Sequence, residues 1–165
     1  MQLENLTKIA ASTPQTPVLV YAKPTSKAPF KKRPQDGGFD FYVDLIDTFG
    51  TDEPIQIIPH QVVKLSTGTR CVFPDETVWI WDVRSSMGVL GLDVCCRTID
   101  NNYTGVLSVV IVNNSSEPIT IKHLDRVAQL IPNPFHSGFY IQEVSEEQIK
   151  SKDDRGSGGF GSSGR

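Results

Sequence analysis

A string near the C-terminus, Arg155-Gly156-Ser157-Gly158-Gly159-Phe160-Gly161-Ser162-Ser163-Gly164, gathers groups suited to a flat and highly charged anion. Arg155 offers a guanidinium fork for phosphate oxygens, and Phe160 offers a ring for stacking. Gly161, Ser162 and Ser163 add hydroxyls and backbone N–H groups able to approach phosphates closely. By composition alone the same string reads as a disordered tail.

Four more segments carry reactive or binding groups. Arg84-Ser85-Ser86-Met87-Gly88 sets a guanidinium and two hydroxyls beside flexible backbone, which is a phosphate cradle or a polar loop with a helix cap. Thr98-Ile99-Asp100-Asn101-Asn102-Tyr103-Thr104-Gly105 reads first as a hairpin turn, because Asp-Asn-Asn is turn chemistry. A turn also presents its side chains, so Asp100 can serve as a general base and Tyr103 as a stacking surface. Gly37-Gly38-Phe39-Asp40-Phe41 puts a carboxylate beside backbone that bends closely, or simply begins a strand. In Asp125-Arg126-Val127-Ala128-Gln129-Leu130-Ile131, Gln129 is either a satisfied core amide or a ligand contact.

The elements that must hold these groups read as strands. Phe39, Phe41, Val43 and Leu45 alternate with Asp40, Tyr42 and Asp44, the period of a half-buried strand. Further β-type runs are Val18–Ala22, Gln61–Leu65, Arg70–Phe73, Thr77–Val83, Gly105–Val112, Ile119–Ile121, Val127–Ile131 and Phe139–Val144. Turn residues separate them at Pro74-Asp75-Glu76, Asn113-Asn114-Ser115-Ser116 and Pro132-Asn133-Pro134. Many short strands at this spacing predict an all-β sandwich or barrel. Helix is expected only as one turn capped by Ser145 before Glu146-Glu147-Gln148 and as a short piece at Ser85–Leu90. Residues 1–16 are expected to be a polar leader, residues 17–149 the folded domain, and residues 150–165 a flexible glycine-rich arm.

With 165 residues the chain suits one domain with a real core. Its net charge of −3 gives no basic face for holding nucleic acid, so no direct nucleic-acid binding is expected. Lys27, Lys31, Lys32 and Arg33 form the one basic cluster, lying among prolines, and read as a solvated connection. No apolar run approaches the roughly 20 residues that cross a bilayer, so no membrane partner is expected. Three cysteines without metal-ligand spacing, Cys71 and the adjacent Cys95 and Cys96, suit reduced thiols in a cytoplasmic setting.

Taken in order, the five segments from Gly37 to the C-terminus resemble the five motifs of the trimeric dUTP pyrophosphatase family. The Arg-Gly-x-Gly-Gly-Phe-Gly-Ser-Ser-Gly string is the most specific of them. The resemblance implies a jelly-roll-like β-barrel of the β-clip type, assembled as a homotrimer whose active sites take residues from all three subunits. It implies hydrolysis of dUTP to dUMP and pyrophosphate, with Mg²⁺ as cofactor. Asp100 then matches the carboxylate that activates the attacking water, and Tyr103 the ring that packs on the deoxyribose. Ser85 and Gln129 match phosphate contacts from a neighbouring subunit, and Ser86 stands beside them as a further substrate-binding hydroxyl of this chain. Arg84 matches an arginine that braces the site by pairing with acidic neighbours. Asp40 matches an outer-sphere partner of Mg²⁺. In the tail, Arg155 matches the γ-phosphate clamp, Phe160 the uracil stack, and Gly161, Ser162 and Ser163 the rest of the phosphate cage.

The chain departs from the family pattern at several positions. Val83 precedes Arg84 where proline is usual, and Ser86 follows Ser85 where glycine is usual. The span from Arg84 to Asp100 is short, Arg97-Thr98 stands where glycine is common before Ile99, and Leu124 replaces the glycine before Asp125. Two other activities are compatible with such a fold. A dCTP deaminase needs a proton-shuttling carboxylate and an arginine at positions occupied here by Val110 and Val89, so it is disfavoured. A regulatory or binding protein on the same fold remains the alternative, with the leader and residues 84–97 as partner surfaces.

Overall fold

The structure is a computed structural model, and it describes residues 20–22, 26–135 and 141–149. The expected leader (1–16) and glycine-rich arm (150–165) therefore lie outside the described residues. The chain forms β1 (Val20–Ala22), β2 (Phe39–Phe41), α1 (Leu45–Phe49), β3 (Ile55–Ile57), β4 (Val62–Val72), β5 (Thr77–Val83) and α2 (Ser85–Gly88). It continues as β6 (Leu92–Cys95), β7 (Thr98–Asp100), β8 (Val106–Asn113), β9 (Ile119–Ile121), β10 (Ala128–Pro134) and one 3₁₀ turn at Glu146–Gln148.

All-β architecture is borne out. One antiparallel sheet has the order β1-β4-β8-β6, a second has the order β2-β10-β5-β7, and β3 pairs with β9 alone. The inward side chains of both sheets, among them Leu65, Trp81, Leu107, Ile111 and Leu130, are fully buried and form a single core. The expected turn after Ser145 forms, but the side-chain contact runs the other way: Gln148 Oε1 accepts from the Ser145 N–H at 3.0 Å and from its hydroxyl at 3.2 Å.

Four expectations are corrected. The alternating run Phe39–Leu45 is a strand only to Phe41, and Leu45 opens α1 instead. Asp44 is the cause: its Oδ1 accepts from the Asp47 N–H at 3.0 Å, while Gly50, with φ 78°, closes the helix by donating to Ile46 O. Gln61–Leu65 and Arg70–Phe73 belong to one strand, because Ser66, Thr67 and Thr69 are buried rather than looped out. Thr67 Oγ1 donates to Leu107 O at 2.9 Å, and Thr69 Oγ1 donates to Thr67 O at 3.1 Å, so the hydroxyls are satisfied inside the sheet. The pairing of β4 with β8 steps from Ser66↔Ser108 to Arg70↔Val106, four residues against two, which is a bulge. Thr98–Asp100 is strand, and the turn follows at Asn101-Asn102. Within Phe139–Val144, the described residues Ile141–Val144 are not a strand. They pair with no other segment among the described residues, and Ile141 stands wholly in solvent.

The second sheet sets the polar geometry. Gln129 of β10 lies opposite Asp40 of β2 on one side and Asp82 of β5 on the other. Leu130 lies between Phe39 and Trp81 and faces the core. Period two then turns the row Asp40–Gln129–Asp82 outward. Gly38 lies against the Gln129 side chain so closely that a Cβ there would meet Oε1 at 2.5 Å and Cδ at 3.1 Å.

Two outcomes follow from this packing. Asp44→Ala removes the buried cap of α1 and is expected to cost about 1–2 kcal/mol, with Asp44→Asn less damaging, both read by urea unfolding. Gly38→Ala is expected to destabilise by about 1–3 kcal/mol through overpacking. That cost should fall when Gln129→Ala is already present, since only the Gln129 Cβ contact at 3.2 Å then remains, and a double-mutant cycle measures the difference.

Candidate active site

The strand order of the second sheet brings three of the five chemistry-bearing segments to one place. A cavity of about 590 Å³ is lined by Gly38 and Asp40 from the first segment, Arg84, Ser85 and Ser86 from the second, and Arg126 with Gln129 from the fourth. Strand β5 ends at Val83, and Arg84 adopts extended backbone (φ −70°, ψ 142°) as the N-cap residue of α2. The two serines are thereby exposed at the mouth of the cavity.

Asp40 organises the cations. Its Oδ2 accepts from Arg84 Nε at 2.9 Å and from Arg126 Nη1 at 3.2 Å, with the carboxylate 18% exposed. Arg84 Nη1 also donates to the Arg126 carbonyl at 3.2 Å. Arg84 is thus paired with an acidic neighbour in the described structure. Charge-assisted bonds of this kind fix both planar guanidinium groups while leaving further N–H donors for a ligand. Gln129 lines the cavity in the outward row and is not a core amide.

Arg126, Phe30 and Lys32 were not singled out from sequence. Phe30 forms a two-bond antiparallel bridge with Asp40, each N–H donating to the other's carbonyl at 2.8 Å. This places the 26–36 connection along the outer edge of β2. The Arg126 guanidinium lies 4.7 Å from the Phe30 ring centroid, and Lys32 lines the cavity. Lys31 lies over Phe39 and Lys27 over Tyr42, so the basic cluster is packed against the domain, correcting its reading as a merely solvated connection. The missed signal was the interleaving of Phe30 with the cations.

Asp100 and Tyr103 are elsewhere. Asp100 ends β7 opposite Val78, near the start of β5, whereas Arg84 follows the end of that strand. Six residues of extended chain separate Val78 from Arg84, roughly 20 Å at the usual rise. Asp100 is exposed and has no ion-pair partner among the described residues. Tyr103 lies over Gly105, where a Cβ would meet the ring at 2.6 Å from Cζ, and its hydroxyl donates to Val106 O at 3.1 Å. Its remaining surface lines a second cavity of about 620 Å³ with Phe49, Lys64 and Ser108. Arg155, Phe160, Gly161, Ser162 and Ser163 lie outside the described residues.

Among the described residues no group of three or more His, Cys, Asp or Glu side chains could hold a metal ion. No helix among them is long and apolar enough to cross a membrane. Cys71 is a core residue whose thiol is pushed up to about 12 by burial, so it stays protonated and inert.

Comparison with known proteins agrees with this geometry. The dUTPase family model matches residues 25–164, which takes in all five segments, the glycine-rich string among them. Deoxyuridine 5'-triphosphate nucleotidohydrolase of Desulfitobacterium hafniense is 33% identical over 144 residues, covering 84% of this chain and 87% of that protein. The Variola virus protein of the same name is 30% identical over 139 residues, 84% of this chain and 86% of its own. Among solved structures, a mutant of the Staphylococcus bacteriophage 80alpha dUTPase with dUpNHpp superposes with a TM-score of 0.73 at 21% identity, covering 90% of this chain and 99% of that one. The native EIAV dUTPase gives a TM-score of 0.63 at 27% identity, covering 80% of this chain and all of that one (100%). A jelly-roll-like β-clip with the Asp40–Arg84–Arg126 cluster at its mouth, matched by a family model across its motifs, places this chain in the dUTPase family.

Proposed function

We propose that the chain hydrolyses dUTP to dUMP and pyrophosphate in the cytosol, as a homotrimer. The observation that carries the reading is the pocket where Asp40 holds Arg84 and Arg126 beside Ser85, Ser86 and Gln129. That arrangement suits a polyphosphate: fixed guanidinium groups, two hydroxyls and an amide converge on one concave surface. Asp100 acts as the general base, orienting and deprotonating the water that attacks the α-phosphorus in line. A general base must come within hydrogen-bond reach of that water, yet Asp100 stands roughly 20 Å along β5 from Arg84. A site shared between copies meets this requirement, Asp100 and Tyr103 coming from one chain and the phosphate pocket from another. Tyr103 packs on the deoxyribose and leaves no room for a 2′-hydroxyl. Arg155 clamps the γ-phosphate, Phe160 stacks on uracil, and Gly161, Ser162 and Ser163 complete the cage, excluding bulk water when the arm closes.

The residues present fit Mg²⁺ held mainly by phosphates and water. Asp40 Oδ2 is taken by two guanidinium groups, so its carboxylate suits an outer-sphere contact through water rather than direct ligation. Bound there, Mg²⁺ would neutralise charge developing on the pyrophosphate leaving group. Removing dUTP in this way limits uracil in DNA and supplies dUMP for thymidylate synthesis. Val89 is exposed and Val110 is half-buried on β8, and neither can supply the carboxylate or cation of a deaminase.

The direct test measures pyrophosphate release from dUTP, dCTP, dTTP and UTP with Mg²⁺. Turnover should favour dUTP, vanish with EDTA and return with added Mg²⁺. Asp100→Asn should lower kcat by about 10²–10⁴. Equal turnover of dCTP or dTTP would overturn the base preference, and no turnover at all would favour the regulatory reading. Deletion of residues 154–165 should abolish turnover while the trimer persists by sedimentation. Loss of the trimer would assign the arm a structural role instead.

A further inference from the structure

The base proposed above stands on a weakly supported element. Strand β7 is only Thr98–Asp100 and, among the described residues, lies at the edge of its sheet and pairs on one side, with β5. Three residue pairs and the half-buried Ile99 are little to hold such a strand in place. The segment leading into it, Cys95-Cys96-Arg97, crosses from β6 at the edge of the first sheet to β7 at the edge of the second. Cys96 takes a left-handed backbone at φ 50° to make that crossing.

Arg97 ties this crossing from both its main chain and its side chain. Its carbonyl accepts from the Trp81 N–H at 2.7 Å, extending the β5–β7 pairing by one residue. Its guanidinium donates from Nη1 to Asp82 Oδ1 at 2.7 Å and to Trp81 O at 3.3 Å, and from Nη2 to Asp93 Oδ1 at 2.5 Å. Both carboxylates are oriented in advance, since Asp82 Oδ1 accepts from the Val83 N–H and Asp93 Oδ1 from the Val94 N–H. One side chain therefore joins β5, β6 and the start of β7. At the far end, Arg70 Nε donates to Thr104 O at 2.8 Å and ties down the turn after Asp100.

We propose that Arg97 is a positioning residue: its fork onto Asp82 and Asp93 locks edge strand β7, and with it Asp100, at the orientation that catalysis requires. The link has a second consequence, because Asp82 lies two residues before Arg84 on the strand that enters the phosphate pocket. The partners are 38–47% exposed, so the ion pairs add little to global stability and act on local order. The inference rests on Asp100 as the base, but the order of β7 can be read without any activity.

The test compares the full-length protein with Arg97→Ala, Arg97→Lys and Asp93→Ala. For Arg97→Ala, kcat with dUTP should fall about tenfold or more while KM stays within about twofold, since small misplacements of a reacting group are costly. The Tm should move by no more than about 2 °C, as expected for loss of a half-exposed pair. Amide hydrogen exchange at Ile99–Tyr103 should quicken about tenfold, with β8 unchanged. Arg97→Lys and Asp93→Ala each keep part of the link and should fall between. Unchanged exchange at Ile99–Tyr103, or unchanged kcat in an active parent, would overturn the proposal. So would a large fall in Tm with kcat restored on cooling, which marks a purely structural role. A parent that fails to hydrolyse dUTP sinks the functional reading alone, and the exchange measurement still decides whether Arg97 locks β7.

Discussion

The antiparallel register of β2, β10 and β5 is the constraint on which the rest of the site depends. It sets Asp40, Gln129 and Asp82 side by side on the outer face while Phe39, Leu130 and Trp81 go into the core. A slip by one residue would bury two carboxylates and expose an indole, so the core itself enforces the polar row. With that row in place, the ends of β5 and the approach to β10 deliver Arg84 and Arg126 to a single carboxylate oxygen. Neither arginine is then free to collapse onto the other segments, and the pocket is formed before any ligand arrives.

The same strand that builds the pocket also divides the machinery. Strand β5 carries Arg84 just beyond one end and pairs with Asp100 near the other. A rigid, core-packed strand cannot bend to bring these ends together, because Trp79 and Trp81 are buried along it. Separation of Arg84 from Asp100 within one chain is therefore a property of the fold. The edge strand bearing Asp100 has little packing of its own and relies on arginines at both ends, Arg97 before it and Arg70 after it.

Where sequence expectations failed, local and tertiary forces conflicted. The run through Leu45 has a period of two, yet the Asp44 cap and the left-handed Gly50 make Leu45–Phe49 a helix and the strand stops at Phe41. Ser66-Thr67-Gly68-Thr69 looks like a break because hydroxyls and glycine usually face water, but here Thr67 finds a distant acceptor in Leu107 O and Thr69 a local one in Thr67 O. Ile141–Val144 ends a run of strand composition, and β propensity without a partner strand among the described residues does not make a strand. Leu124 sits in left-handed backbone at φ 64°, in the position before Asp125 where the family has glycine, so the turn geometry persists without its usual residue.

By itself the sequence determined the all-β class, the bounds of strands such as Thr77–Val83 and Ile119–Ile121, and the residue types on offer to a nucleotide. These depend on side-chain periodicity and turn chemistry, which are local. The tertiary structure decided which of those residues meet: that Arg84 braces on Asp40, that Arg126 and Lys32 join them, and that Asp100 does not. Strand order and register settle such meetings, and both come from burying two sheet faces against each other across long stretches of chain.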